Sequence, residues 1–173
     1  MERKKQRKVL KWMLGQVYRA ENRKSQLEKR LRKIEPECKT ASASILFRLS
    51  DIEKQIAKQE KEIENAFVMV MDIIDYIPQN EIARQIFEMR HLDGLPFSDI
   101  AKAIPMSRTQ CYMHYNGAIE RLLDYRRIRK MVKSSEKEYA EWCENCYGVK
   151  KQSGVIKREN ISGNNSEKIY SKN

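Results

Sequence analysis

The feature that most constrains the fold is a stripe of apolar residues with a seven-residue repeat that ends at Ile77. A repeat of seven with two apolar positions is typical of helices that pack in coiled coils. Gln59 is the one polar member of the stripe, and Pro78 ends the helix. The sequence therefore predicts a long helix that buries a narrow stripe against another helix. The stripe consists of Leu49, Ile52, Ile56, Gln59, Ile63, Ala66, Val70, Ile73 and Ile77.

A similar stripe precedes it, with alternate spacings of three and four that are interrupted at Lys24. This spacing predicts a helix of about 25 residues, roughly 37 Å long, which ends at Glu35 because a proline follows. Two such helices joined by a short link are expected to form an antiparallel hairpin, with Lys24 and Gln59 as near neighbours. The members of this stripe are Leu10, Met13, Val17, Ala20, Leu27, Leu31 and Ile34.

The composition favours an all-α fold and argues against several other classes. Six glycines and four prolines in 173 residues suit long helices better than a many-turned β-sandwich or barrel. The longest apolar run covers residues 66–71, whereas a membrane-spanning helix needs about twenty apolar residues. The basic N-terminus is not followed by an apolar signal core, and the four cysteines do not suggest a disulfide framework. We therefore expect a cytoplasmic protein without a membrane partner.

The excess of positive charge is concentrated in two stretches. The chain has a net charge of +11. Residues 1–34 hold 13 basic and 3 acidic side chains, residues 120–133 hold 6 and 2, and the helix between them, residues 51–76, holds 3 and 7. Clustered lysine and arginine side chains bind nucleic acid by releasing counterions from it. The alternative is that these stretches are solvated surfaces that attract the acidic helix.

Residues 79–123 are predicted to form three shorter helices. The first ends at Gly94, because glycine is a usual residue just after a helix. The second begins after Pro96 and ends before Pro105, and the third begins at the capping residue Ser107. A short helix, a tight turn and a capped third helix describe a helix-turn-helix. The apolar stripe predicted for the third helix is Cys111, Tyr115, Ala118 and Leu122.

The side of the third helix opposite this stripe, with Thr109, Met113 and Asn116, is predicted to contact DNA. Arg108, Gln110 and Tyr112 flank these residues near the N-terminal end. Arginine and glutamine hydrogen-bond guanine and adenine edges in the major groove, and a helix N-terminus or an arginine can instead hold a phosphate. The predicted DNA-binding residues are Ser107, Arg108, Thr109, Gln110, Tyr112, Met113 and Asn116, and the candidate phosphate contacts are Arg121, Arg126 and Arg127.

Residues 86–101, followed by residues 106–112, resemble the helix-turn-helix of sigma factor region 4. Together with residues 114–119, they are similar to phage and prophage late transcription regulators of the ArpU and RinA kind. The resemblance covers about residues 8–125. It implies sequence-specific binding of double-stranded DNA by the third helix, regulation of late genes, host RNA polymerase as a partner of the hairpin, and a nucleoid-associated location in a bacterial host cell. Gly117 lies within the third helix, where glycine is a weak helix former.

We expect three segments: a basic N-terminal helix with a heptad helical hairpin in residues 1–77, a helix-turn-helix DNA-binding domain in residues 78–125, and a basic helix extension with a disordered tail in residues 126–173. A homodimer is expected because operator reading usually uses two copies. Two alternatives remain open: a small terminase-like subunit for DNA packaging, which would form a ring, and a protein-interaction module that binds RNA polymerase.

No arrangement of residues in the sequence predicts enzyme activity. A nucleophile, a base and an orienting group do not converge, and no glycine-rich phosphate loop or carboxylate metal motif occurs. Cys143 and Cys146 have the spacing of zinc ligands, but a closed zinc site needs four ligands and no second pair is present. We expect no cofactor, no bound metal and no small-molecule substrate.

Overall fold

The computed structural model describes the backbone of residues 2–34 and 43–156, and the side chains of residues 2–34 and 45–146. Every regular element in these ranges is an α-helix, so the predicted all-α class is confirmed. The helices are α1 (Arg3–Leu14), α2 (Gln16–Ile34), α3 (Ala43–Ile74), α4 (Ile82–His91), α5 (Phe97–Ala103), α6 (Arg108–Leu122), α7 (Arg126–Ser134) and α8 (Glu136–Ile156).

The chain divides into two compact units. The first, Met1–Ser135, contains α1 to α7, and the second, Glu136–Asn173, contains α8. The predicted boundaries after residues 77 and 125 both lie inside the first unit. Within the predicted extension and tail, α8 continues to Ile156, and residues 157–173 lie outside the described part of the chain. None of the described helices is both long and apolar enough to cross a bilayer.

The single helix predicted from Leu10 to Ile34 is wrong, because the helix is interrupted at Gly15. The Gly15 amide donates to the carbonyl oxygens of Lys11 and Trp12, each at 3.2 Å, and the Arg19 guanidinium also donates to the Trp12 carbonyl. A side chain that hydrogen-bonds to a backbone carbonyl within a helix is a common cause of a helix kink or break. Glycine tolerates this local departure from helical geometry.

Helices α2 and α3 pack against each other. Lys24 Nζ lies 2.8 Å from Glu60 Oε1, and Arg23 Nη1 lies 3.8 Å from Glu62 Oε2. Moving forward along α2 from Arg23 to Lys24 moves the partner backward along α3 from Glu62 to Glu60, so the two helices run antiparallel. Gln59, the polar member of the heptad stripe, is only 9% exposed, as expected of a stripe position.

Helix α1 contacts α6 and α7 as well as α2, whereas the sequence placed it in the hairpin with α3. Its apolar side is buried over a wide arc that includes Val9, Leu10, Met13 and Leu14. Helices α4, α5 and α6 also contact one another, so α6 is flanked by α1, α4 and α5. The turn after α4 contains Gly94, the glycine that was predicted to stop the helix, and its φ of 71° is one that glycine adopts readily.

The predicted basic helix extension is not continuous with α6, because α6 ends at Leu122 and α7 begins at Arg126. Arginine side chains from elsewhere in the unit satisfy the carbonyl groups at this break. Arg3 donates to the carbonyl oxygens of Glu120 and Leu123 at 2.8 and 3.1 Å, and Arg129 donates to that of Leu123 at 3.1 Å. These bonds replace the ladder bonds that a continuous helix would have made.

Candidate nucleic-acid interface

One side of α6 is fixed in the core of the first unit. The predicted apolar stripe is confirmed, and Ile119 is buried with it. The Tyr115 ring packs 4.8 Å from the ring of Phe87 on α4 and 5.4 Å from that of Phe97 on α5, measured between centroids. These contacts hold α6 on both neighbouring helices, so its opposite side is presented in one defined orientation.

The N-terminus of α6 is closed by reciprocal hydrogen bonds. The Gln110 amide donates to Ser107 Oγ at 3.2 Å, and the Ser107 amide donates to Gln110 Oε1 at 2.9 Å. This is a capping box, which satisfies two amide groups that a helix otherwise leaves open. Both side chains are exposed, but they act first as helix caps. The sequence predicted the cap at Ser107 and did not predict that Gln110 takes part in it.

The seven residues predicted to contact DNA are all exposed. Met113 is 69% exposed, the most of any large apolar residue on α6. Tyr112 stacks on Phe97 with centroids 4.1 Å apart, and the Arg108 guanidinium lies 5.7 Å from the centre of the Tyr112 ring. The stacking therefore supports Arg108 beside the N-terminal end of α6.

Asn116, the last of these residues, is held by a side chain that the sequence analysis did not single out. Lys11 Nζ donates to Asn116 Oδ1 at 2.7 Å and lies 5.4 Å from the centre of the Tyr115 ring. Partial burial lowers the pKa of Lys11. Helix α1 therefore borders the exposed face of α6 on the Asn116 side.

Two arginines of α1 neutralise the acidic residues at the C-terminal end of α6. Arg7 Nε lies 2.8 Å from Glu120 Oε1, and Arg3 lies 3.3 Å from Glu120 Oε2 and 2.8 Å from Asp124 Oδ1. The Asp124 hydrogen bond raises the pKa of Arg3 above its usual value. These contacts remove two negative charges from an edge where they would repel a phosphate.

The three candidate phosphate contacts differ in their surroundings. Arg121 is ion-paired with Glu81, which precedes α4, so it is already engaged within the unit. Arg126 and Arg127 are exposed in the first turn of α7, and no ion pair is recorded for them among the described residues. They therefore suit a phosphate contact better than Arg121 does.

A buried polar contact joins α6 to the end of α4. His91 Nε2 lies 3.2 Å from the Tyr115 hydroxyl, and the imidazole also hydrogen-bonds to the Leu14 backbone. Burial, together with the smaller effect of the nearby Arg90 charge, lowers the pKa of His91 to about 3. Burial raises the pKa of Tyr115. The neutral imidazole thus accepts from the tyrosine hydroxyl and donates to the Leu14 carbonyl at the end of α1.

Cys143 and Cys146 both lie on α8, Cys143 half-buried and Cys146 exposed. Across the part of the chain that the structure describes, no three histidine, cysteine, aspartate or glutamate side chains come together as a metal site would require. Comparison of the chain with protein-family models, with curated proteins and with solved structures finds no match.

Proposed function

We propose that this protein is a sequence-specific DNA-binding regulator that inserts α6 into the major groove of double-stranded DNA. The observation that carries the proposal is the division of α6 into two faces. One face is buried against α4 and α5, and the opposite face exposes Thr109, Met113 and Asn116. The other four predicted residues are exposed around the N-terminal end of α6, namely Ser107, Arg108, Gln110 and Tyr112. With α5 as the supporting helix and residues 104–107 as the turn, this is the arrangement that a helix-turn-helix uses to present its recognition helix.

The residues near the N-terminal end of α6 are the ones expected to reach base edges. Arg108 and Thr109 lie in its first turn, and the N-terminal residues of a recognition helix are those that contact bases. The side-chain carbonyl oxygen of Gln110, Oε1, accepts a hydrogen bond within the cap. The side-chain NH2 group of Gln110 therefore remains to donate to a base acceptor. Arg126 and Arg127 then supply phosphate contacts that set the position of α6 without reading sequence.

The likeness to phage and prophage late regulators supports a narrower proposal, namely the control of late genes through host RNA polymerase. Helices α2 and α3 are the candidate polymerase contact, and a homodimer would place two copies of α6 on a divided operator. Mass determination in solution tests the assembly. A dimer fits the regulator, whereas a ring of many subunits would favour the DNA-packaging alternative.

The direct test begins with selection of a preferred duplex from a random pool by the intact protein. Arg108→Ala is then compared with wild type on that duplex and on an unrelated one, by fluorescence anisotropy over a range of salt concentrations. If Arg108 reads a guanine, we expect a loss of about 1–3 kcal/mol confined to the preferred duplex. If it holds a phosphate, the loss should be equal on both duplexes, and the salt slope should fall by about one.

The matched control is Arg32→Ala on α2, because Arg32 is exposed and lies about 25 Å along α2 from Gly15, where α1 ends. Its affinity should equal that of wild type on both duplexes. A wild-type protein that binds no duplex at low salt would refute the proposal. Arg108→Ala with unchanged affinity and unchanged salt slope would remove Arg108 from the interface.

A second function is favoured by one observation, the apolar character of part of the same face. Met113 is 69% exposed and Tyr112 is 37% exposed, and methionine and tyrosine are enriched at protein interfaces. In this alternative α6 binds another protein, such as a polymerase subunit. Met113→Ala would then abolish capture of purified RNA polymerase while binding to DNA, if any, stays the same.

A further inference from the structure

We propose that α1 forms a second part of the DNA interface, in which a row of lysines binds the phosphate backbone beside the groove that α6 enters. The row consists of Lys4, Lys8 and Lys11 and is called the α1 lysine row below. The inference rests on the proposed function. The sequence analysis counted α1 among the basic stretches that could bind nucleic acid but placed it in the hairpin; the inference names the lysines that bind and the helix beside which they lie.

The position of α1 relative to α6 is fixed by both polar and apolar contacts. Lys11 Nζ donates to Asn116 Oδ1 at 2.7 Å, near the middle of α6, and Arg7 pairs with Glu120 at 2.8 Å, one turn further along. Val9 and Leu10, on the inward side of α1, are completely buried. Helix α1 therefore runs along the edge of α6 and cannot swing away without breaking them.

The α1 lysine row faces solvent. With about 100° between successive residues, Lys4, Lys8 and Lys11 fall within an arc of roughly 60°, opposite the buried Val9 and Met13. All three lysines are exposed, and no ion pair is recorded for Lys4 or Lys8 among the described residues. The row is about 10 Å long. One strand of B-DNA has one phosphate per 3.4 Å of the duplex axis, so a row aligned with that axis spans about three phosphates.

The charges around the row strengthen its attraction for phosphate. Helix α1 contains six basic and no acidic residues among its 12 residues. Glu120 and Asp124, the acidic residues with which α1 forms ion pairs at the C-terminal end of α6, are neutralised by Arg3 and Arg7. The edge of α6 that α1 covers is therefore net positive.

The row also continues toward the start of α7. Arg3 hydrogen-bonds the Leu123 carbonyl and Asp124, which lie just before α7, so the N-terminus of α1 lies beside the first turn of that helix. The exposed Arg126 and Arg127 occupy that turn. A basic border then runs from Lys11 along α1 to α7, and its extended form fits a DNA strand better than it fits a compact anion.

The test uses the full-length double variant Lys4→Gln, Lys8→Gln, which removes two charges and no buried contact. Two lost phosphate contacts should lower the salt slope by about two and weaken binding at 0.1 M salt by about 60-fold. The loss should be equal on the preferred and the unrelated duplex, because phosphate contacts carry no direct sequence information. This pattern differs from that expected of a base-reading Arg108.

The matched control is Lys29→Gln, Lys33→Gln on α2, a pair with the same spacing and exposure. Lys29 lies about 21 Å along α2 from Gly15, so we expect no change in its salt slope. An equal loss in both double variants would mean a general charge effect and would overturn the inference.

The remaining outcomes separate this inference from the proposed function. If Lys4→Gln, Lys8→Gln binds like wild type while Arg108→Ala is impaired, α6 binds DNA and the α1 lysine row does not. If the double variant binds DNA normally but loses capture of purified RNA polymerase, the row serves an acidic protein surface, and the inference is overturned. If wild type binds no DNA, both the inference and the proposed function fail.

Discussion

The buried His91 makes the stability of the first unit depend on pH. Burial lowers the pKa of His91 to about 3 in the folded protein, whereas the ordinary value in an unfolded chain is about 6.5. Between these values the unfolded chain binds a proton that the folded protein does not. The resulting stability is complete above pH 6.5 and is lost as the pH falls toward 3.

The size of the effect follows from the two pKa values. Lowering the pH from 7 to 5 should reduce the free energy of unfolding by about 2 kcal/mol, with a limiting slope of about 1.4 kcal/mol per pH unit. Carboxyl groups in model peptides titrate near pH 4, so most of the change in this range belongs to the imidazole. The physical cause is that a protonated His91 would leave a buried charge and lose the bond that it accepts from Tyr115.

The assay is urea denaturation followed by circular dichroism at pH 5, 6 and 7. His91→Gln removes the titrating group and should flatten the dependence over this range, although it lowers the stability at pH 7. His114→Gln is the matched control, because His114 is the only other histidine and is exposed. It should keep the wild-type dependence.

Nuclear magnetic resonance of the wild-type imidazole provides a second measurement that does not depend on a folded variant. The His91 ring signals should not titrate between pH 5 and 8 while the protein is native. A His91 that titrates near pH 6.5 in the folded protein would refute the reasoning. Equal pH dependence in wild type and His91→Gln would do the same.

Three further predictions concern α6, its N-cap and the turn before α5, and all three are measured by urea denaturation at pH 7. Gly117→Ala should stabilise the protein by about 1 kcal/mol, because an added Cβ meets nothing nearer than an Arg121 nitrogen at 4.0 Å. Gly94→Ala should destabilise it by about 1 kcal/mol, because Gly94 has a φ of 71°; equal effects of the two substitutions would contradict this argument. Ser107→Ala should cost about 1 kcal/mol by removing the acceptor for the Gln110 amide, and Ser107→Asp, which restores an acceptor, should recover most of the loss.

The features of α4 and α6 that could be predicted from the sequence are local ones. The apolar stripe of α6, its N-cap at Ser107 and the glycine after α4, Gly94, each depend on residues within a few turns of one another. A period of 3.6 residues determines which side chains share a face, so exposure of the opposite face follows directly. The separate roles of Gln110 and Arg121 could not be predicted in this way, because each depends on where one side chain finds a partner.

The packing of α1 on α6 could not be predicted from periodicity, because the two helices lie more than 100 residues apart in the sequence. A signal was nevertheless present. Val9, Trp12 and Leu14 lie beside the stripe that contains Leu10 and Met13, and all five are buried. Such a wide apolar side is typical of a helix in a globular core, whereas a coiled-coil stripe is narrower. The heptad spacing that continues into α2 concealed this difference.

The buried His91 joins α1 to α6, the two helices of the proposed interface. The imidazole hydrogen-bonds the Leu14 backbone at the end of α1 and the Tyr115 hydroxyl in the middle of α6. Tyr115 lies next to Asn116, which binds Lys11 at the surface. The two helices are therefore held together by the His91 bonds in the core and by the Lys11–Asn116 bond at the surface. If α6 enters a groove, the lysines of α1 therefore meet the strand beside it as part of the same rigid body, without a separate ordering step and its entropic cost.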